Sequence, residues 1–167
     1  VPEKYSSVLN KRNIKYEYGS TFSQMNYPQS AAYCAVIDEH YLIHRADITD
    51  KVILRSAGNH ELISVQQGYT RCNLLSLKDS SFITSDDRIY RNLCNMNFNG
   101  LYVDPSDILL PGFRHGFFGG VCGVYEDMVF VAGSLDFFCN GKAVCEFLET
   151  LKNKIVELYN GDRKIFV

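Results

Sequence analysis

The sequence lacks an excess of charge of either sign. Its 167 residues carry 17 Lys or Arg against 19 Asp or Glu, a net charge of -2, and no basic run is longer than Lys11-Arg12. A phosphate-reading surface needs a clustered basic face, so no nucleic-acid partner is expected. No apolar run approaches the roughly 18 residues of a membrane span, and no signal peptide or lipidation motif is visible. No membrane partner is expected, and the cytoplasm is the expected compartment. The six cysteines, at 34, 72, 94, 122, 139 and 145, include no Cys-x-x-Cys pair. Four of them fall in apolar strand-like or helix-like runs, so reduced, buried thiols are expected rather than three bridges. His44 and His60 are isolated, and no His/Cys/Asp spacing argues for a metal. No Gly-Lys-Ser/Thr opens a helix, and no helix follows the glycines as a dinucleotide fingerprint requires; no cofactor is expected.

What the sequence does have is the stretch Leu110-Pro-Gly-Phe-Arg-His-Gly-Phe-Phe-Gly-Gly-Val-Cys-Gly-Val124. It holds five of the twelve glycines, interleaved with Phe113, Phe117 and Phe118. So many glycines cost chain entropy, and a tight crossing or a ligand must need the room they leave. The stretch runs into Val121 to Val124 and, past the turn Glu126-Asp127, into Met128 to Ala132, which predicts a hairpin. Close backbone packing at the start of a strand is the preferred reading, ahead of a ligand cradle.

A 167-residue chain predicts one domain with its own core. A leading helix over 3–10 is expected to follow Pro2 and to be followed by a half-buried strand over 14–18; with its flanks this leading part covers 2–19. Ser20 to Ser30, with Pro28, reads as a loop. From residue 31 the order β-β-α-β then comes three times, over about 31–66, 67–104 and 112–167. The strands are expected at 31–37, 41–44 and 61–65 around a helix at 49–56. The second set is 70–77, 81–84 and 101–103 around a helix capped by Ser85 and running to about Asn95. In the third, strands at 117–125, 128–132 and 164–167 flank a helix over 141–159, marked by Val144, Phe147, Leu148, Leu151, Ile155 and Leu158 at 3.6-residue spacing. Cys34, Cys72 and Cys122 align at one place in the first strand of each unit, which suggests a crowded, inward-facing register.

A period of 40 to 50 residues suits radial stacking, and the fold class expected is an α/β-propeller of about three and a half ββαβ repeats. An open fan leaves an edge. Two alternatives stay open for that edge: the chain, which opens on Val1 rather than Met, is a piece of a longer protein, or its units close as a homo-oligomer.

The residues resemble an uncharacterised family of bacterial, clostridial-type proteins assigned to the pentein, or guanidine-modifying-enzyme, fold. The likeness rests on Tyr27-Pro28 with Ala32-Tyr33-Cys34, on Gln67-Gly-Tyr-Thr-Arg-Cys-Asn73, on Phe82-Ile-Thr-Ser-Asp86, and on Leu110 to Gly120 with Phe130-x-x-Gly133. It covers about residues 14 to 148. The resemblance implies ββαβ blades around a pseudo-fivefold axis with a site in a central channel, and an N-terminal extension that supplies the missing blade and a half. The family tends to carry a His after Gly133, where this chain reads Ser134-Leu-Asp136.

Catalytic penteins attack a guanidinium carbon with a cysteine thiolate, a histidine moving the proton and carboxylates gripping the cation. The catalytic candidates are therefore Cys139, expected to have its pKa lowered by the following helix N-terminus, with His115 and Asp136. The ligand-binding candidates are Arg71, Asn73, Asp86, Arg114, Gly119 and Gly120. Each has a plainer reading: a space-filling cysteine, a loop histidine, helix-start carboxylates, surface arginines. The His-x-Asp/Glu element and the late Gly-x-His-Cys-x-Thr-like strand of the fold's hydrolases and transferases are missing. The favoured expectation is thus a binding protein for a small polar ligand, guanidino or amino-acid-like. A Cys-dependent guanidino-group hydrolase or amidinotransferase and a non-catalytic interaction module are the alternatives.

Overall fold

A computed structural model describes residues 3–21 and 25–159. It is a mixed α/β structure with three small sheets, each of three strands. Helix α1 (Glu3–Lys11) leads. The first unit is β1 (Val36–Ile37), β2 (Tyr41–His44), α2 (Lys51–Ser56) and β3 (Glu61–Ser64). The second opens with a one-turn helix α3 (Thr70–Asn73) and continues through β4 (Leu74–Leu77), β5 (Ser81–Thr84), α4 (Asp87–Asn95) and β6 (Asn99–Tyr102). The third opens with α5 (Phe118–Val121), then β7 (Cys122–Tyr125), β8 (Met128–Val131), α6 (Gly141–Thr150) and β9 (Lys154–Glu157).

Every unit has one topology. The first two strands pair antiparallel as a hairpin, and the third returns past the helix to lie parallel beside the second. The ββαβ order expected from the sequence is therefore present three times. Helix ends repeat as well. Asp50 caps α2 by accepting from Val52 N, and Asp86 caps α4 by accepting from Arg88 N and Ile89 N. Past their last turns stand Gly58, Asn97 and Lys152, all with left-handed φ of 57°, 64° and 59°. A left-handed residue there lets the chain leave the helix and start the third strand.

Neighbouring units share cores. Val36, Ile43 and Ile63 of the first unit bury against Leu74, Phe82, Ile89, Leu93 and Phe98 of the second. Leu75, Leu77 and Ile83 of the second bury against Phe118, Val121, Val129, Val131, Val144 and Leu148 of the third. Because each strand alternates its faces, one hairpin supplies both seams: Leu74 turns to the first unit and Leu75 to the third.

Several boundaries differ from expectation. No strand forms over 14–18, and residues 31–35 precede β1 as the end of a 3-10 helix (Gln29–Ala31) and a turn. Residues 70–73 and 118–121 are helical turns, not strand, so Cys34 and Cys72 each sit two residues ahead of a first strand while Cys122 begins one. The cap of α4 is Asp86, not Ser85, because the Asp86 carboxylate reaches two amides at once. The third helix stops at Thr150: Asn153 donates to the Asp127 carbonyl and β9 pairs with β8, so Ile155 enters the core from a strand. The strand expected over 164–167 lies outside the described residues.

The leading segment is pinned by a buried carboxylate. Asp50, 1% exposed, accepts from Ser20 N, Ser20 Oγ at 2.9 Å, Thr21 N and Tyr33 OH besides its own helix. Burial opposes its charge, yet the bonds from Thr21, Val52 and Ser20 outweigh that and hold the carboxyl well below the usual range. His44 is fully buried nearby. Its Nε2 donates to the Gly68 carbonyl at 2.8 Å, and its Nδ1 lies 2.8 Å from Thr49 Oγ1. Burial lowers its pKa.

Candidate functional site

The first strands of the three units converge. Between β1, β4 and β7 runs a cleft with two lobes that share Ile37, Ser76 and Val124. The inner lobe, of 340 Å³, is bounded by Val36, Leu75 and Arg71. The outer lobe, of 410 Å³, opens between the hairpin turns and is lined by Asp38, Glu39, Lys78, Asp79 and Glu126. Four carboxylates against one ammonium give the mouth a negative field, focused by the apolar walls behind it. Asp38 is set in place: its Oδ1 accepts from His40 N and Tyr41 N, and its Oδ2 from Ser76 Oγ across the unit boundary at 3.3 Å.

Arg71 sits at the inner end and ties the three units together. Its backbone amide donates to the Cys34 carbonyl of the first unit at 2.8 Å. Its guanidinium donates to the Gly119 carbonyl at 2.6 Å and the Cys122 carbonyl at 3.1 Å in the third. Two nitrogens of this expected ligand-binding residue are thus engaged by backbone carbonyls, while Arg71 also lines the inner lobe. Gly119 explains itself at the same junction: a Cβ there would fall 2.5 Å from the Arg71 carbonyl oxygen and 2.8 Å from Leu74 N. The glycine-rich stretch thus serves a close crossing of α5 over α3. Gly120 is exposed and donates from its amide to the Phe117 carbonyl. Asn73 is buried and donates to the Tyr69 carbonyl, while its own carbonyl accepts from Thr84 Oγ1, so it braces the start of β4.

The catalytic candidates lie elsewhere, and only in part together. Cys139 is exposed; its amide donates to Asp107 Oδ2, and its Sγ stands 3.4 Å from Asn140 Oδ1. Burial, with Asp107 and Asp104 behind it, raises the thiol pKa. The lowering expected from the helix is not found, since burial and the two carboxylates all favour the neutral thiol. Asp104 is the common neighbour: its carboxyl is held down by the Ser106 amide and hydroxyl and by the charges of His115 and Arg114. His115 itself is half-buried, its Nδ1 2.8 Å from the Gly116 carbonyl and its ring edge-on to Phe117. Asp136 is not the acid facing Cys139. Its amide donates to Ser134 Oγ, and its charge bears on Cys145. Asp86 lines a third cleft, of 580 Å³, with Gln66, Gln67, Arg88 and Arg91, where Gln67 Nε2 reaches its Oδ2 at 3.2 Å.

The site residues expected from the sequence did not include the turn acids Asp38, Glu39, Asp79 and Glu126, and Cys34 and Cys72 stood out there only for their shared register. A signal existed for the acids, since the hairpin turn of each unit carries Asp or Glu. Their convergence depends on how the units pack, which no local pattern encodes. Among the described residues no group of three or more His, Cys, Asp and Glu is placed to hold a metal, and no helix is long and apolar enough to cross a membrane.

A family model described as a family of unknown function, DUF6873, matches residues 1–164. The chain belongs to that family. No curated protein and no solved structure matches it.

Proposed function

We propose that this DUF6873 chain is a pentein-type α/β-propeller element that binds a small cationic ligand, of guanidino or amino-acid type, between the inner strands of its units. The observation that carries the reading is the outer lobe of the cleft, where Asp38, Glu39, Asp79 and Glu126 from three different units face one space. A guanidinium is planar, weakly hydrated and able to give paired hydrogen bonds to carboxylates, so it suits such a mouth better than a compact ammonium. Three units around the cleft leave the fan open, and closure by a second copy belongs to the same proposal, as does a reducing, cytoplasmic setting for its six thiols.

Thermal melting with a panel of ligands tests it. Agmatine and arginine raise the Tm in proportion to the logarithm of their concentration, while citrulline, the neutral isostere, leaves it in place. Equal shifts with citrulline, or none with any guanidino compound at millimolar concentration, would overturn the reading.

A second reading, a Cys-dependent guanidino-group hydrolase or amidinotransferase, draws on the junction where Cys139 and His115 both neighbour Asp104. In it His115 would take the Cys139 proton, which the adjacent carboxylates otherwise hold in place. Labelling by a haloacetamidine separates the two. Fast loss of the Cys139 thiol at neutral pH supports the enzyme, and labelling no faster than at Cys145 removes it.

A further inference from the structure

The cleft has a chemistry of its own beside its inner lobe, independent of any ligand at the mouth. Cys34 and Cys72 come from different units, 38 positions apart in sequence. The bond from the Arg71 amide to the Cys34 carbonyl, at 2.8 Å, brings the two chain segments side by side ahead of β1 and β4. There the two side chains lie close enough for each to shift the ionisation of the other. Both are partly accessible, whereas Cys122, in the third unit, is buried. Neighbouring residues Ala35 and Arg71 line the inner lobe, so a small oxidant has a path to the pair.

We propose that Cys34 and Cys72 form a peroxide-oxidisable dithiol that closes to a disulfide joining the first and second units. The pair is polarised toward one sulfur. The neighbouring Cys34 thiol, aided by the nearby Arg71 charge, lowers the Cys72 pKa to about 7 against its burial. The same contact, with burial and the Cys72 charge, raises that of Cys34. A thiolate is the nucleophile toward peroxide, and the neighbouring protonated thiol is the resolving partner. In the first step the Cys72 thiolate takes one oxygen of hydrogen peroxide, forming a sulfenic acid and releasing hydroxide. Cys34 then attacks that sulfur, loses its proton, and expels the hydroxyl as water. Two thiols and one peroxide become one disulfide and two waters, and an external dithiol reverses the step.

The experiment is oxidation of the native, reduced protein with one equivalent of hydrogen peroxide, followed by alkylation and peptide mass spectrometry. The expected product is a Cys34–Cys72 linked peptide two hydrogens lighter than the separate thiols, with the other four cysteines alkylated and the link removed by dithiothreitol. In Cys34→Ser the oxidised Cys72 has no partner, and dimedone captures it as the sulfenic acid. Before oxidation, Cys72 in the native protein alkylates at pH 7.5 at least about tenfold faster than Cys122. The proposal is overturned if the folded wild type gives no linked peptide, or if the link appears only in denaturant. It is also overturned if Cys72 alkylates no faster than Cys122.

Discussion

At the scale of the residue, two buried groups set how this protein meets acid. Asp50 has a folded-state pKa below its unfolded value of about 3.9, so its contribution to stability is complete above pH 4 and is lost as pH falls through the folded value. His44 is held neutral by burial, below its unfolded pKa of about 6.5, so its contribution is complete above that pH and declines beneath it. Stability measured by urea unfolding should therefore fall from about pH 6.5 downward in two steps. His44→Gln should remove the upper step and leave the lower. Asp50→Asn should lower stability by about 2 kcal/mol at pH 7, because an amide nitrogen would face donors that the carboxylate now accepts. A flat profile between pH 7 and 5 in the wild type would show that His44 is protonated in the folded state too. Arg71→Lys is a separate case: one ammonium cannot span the Gly119 and Cys122 carbonyls as the guanidinium does, and a loss of about 1.5 kcal/mol is expected.

At the scale of the element, glycines within one stretch should behave in opposite ways. Gly119→Ala drives a methyl into the backbone of α3 and should cost roughly 3 kcal/mol, read as a lowered urea midpoint. Gly123→Ala, in β7, meets nothing within 4 Å and should stay within about 0.5 kcal/mol. Equal effects at the two positions would mean that the crossing of α5 over α3 is looser than described. The same elements show what the sequence could and could not tell. The order β-β-α-β was legible in all three units, because each hairpin is a pair of short apolar runs split by a turn that carries Asp or Glu, and each helix begins beside an Asp or Asn. The end of the third helix was not, since Leu151, Ile155 and Leu158 continue a helical spacing that a strand after a left-handed Lys152 satisfies equally well. The one-turn helices α3 and α5 were read as strand because four residues are too few to show a period. Of the candidate site residues, His115 and Cys139 do share a neighbour in Asp104, whereas Asp136, Asp86 and Asn73 face other surroundings. The approach of Cys139 to Asp104 and Asp107 spans 35 and 32 positions, and local sequence carries no record of it.

At the scale of the whole molecule, three similar units set side by side do what none does alone. Each hairpin turn offers one or two carboxylates to solvent, and packing the units through shared cores brings the turns around one cleft. Like charges gathered in this way repel each other, and a bound cation relieves the repulsion. Binding of a cation should accordingly weaken as ionic strength rises and screening shortens. It should also persist when Cys34 and Cys72 are joined, since the dithiol lies at the opposite end of the cleft from the acids.

Calorimetric titration of agmatine into the wild type and into the Asp79→Asn, Glu126→Gln double variant tests the central claim most directly. The account predicts binding at a single site per chain in the wild type, weakened by about tenfold for each carboxylate removed, with the unfolding midpoint of the variant unchanged or raised. Equal affinity in the two proteins, or no heat of binding in the wild type, would contradict it.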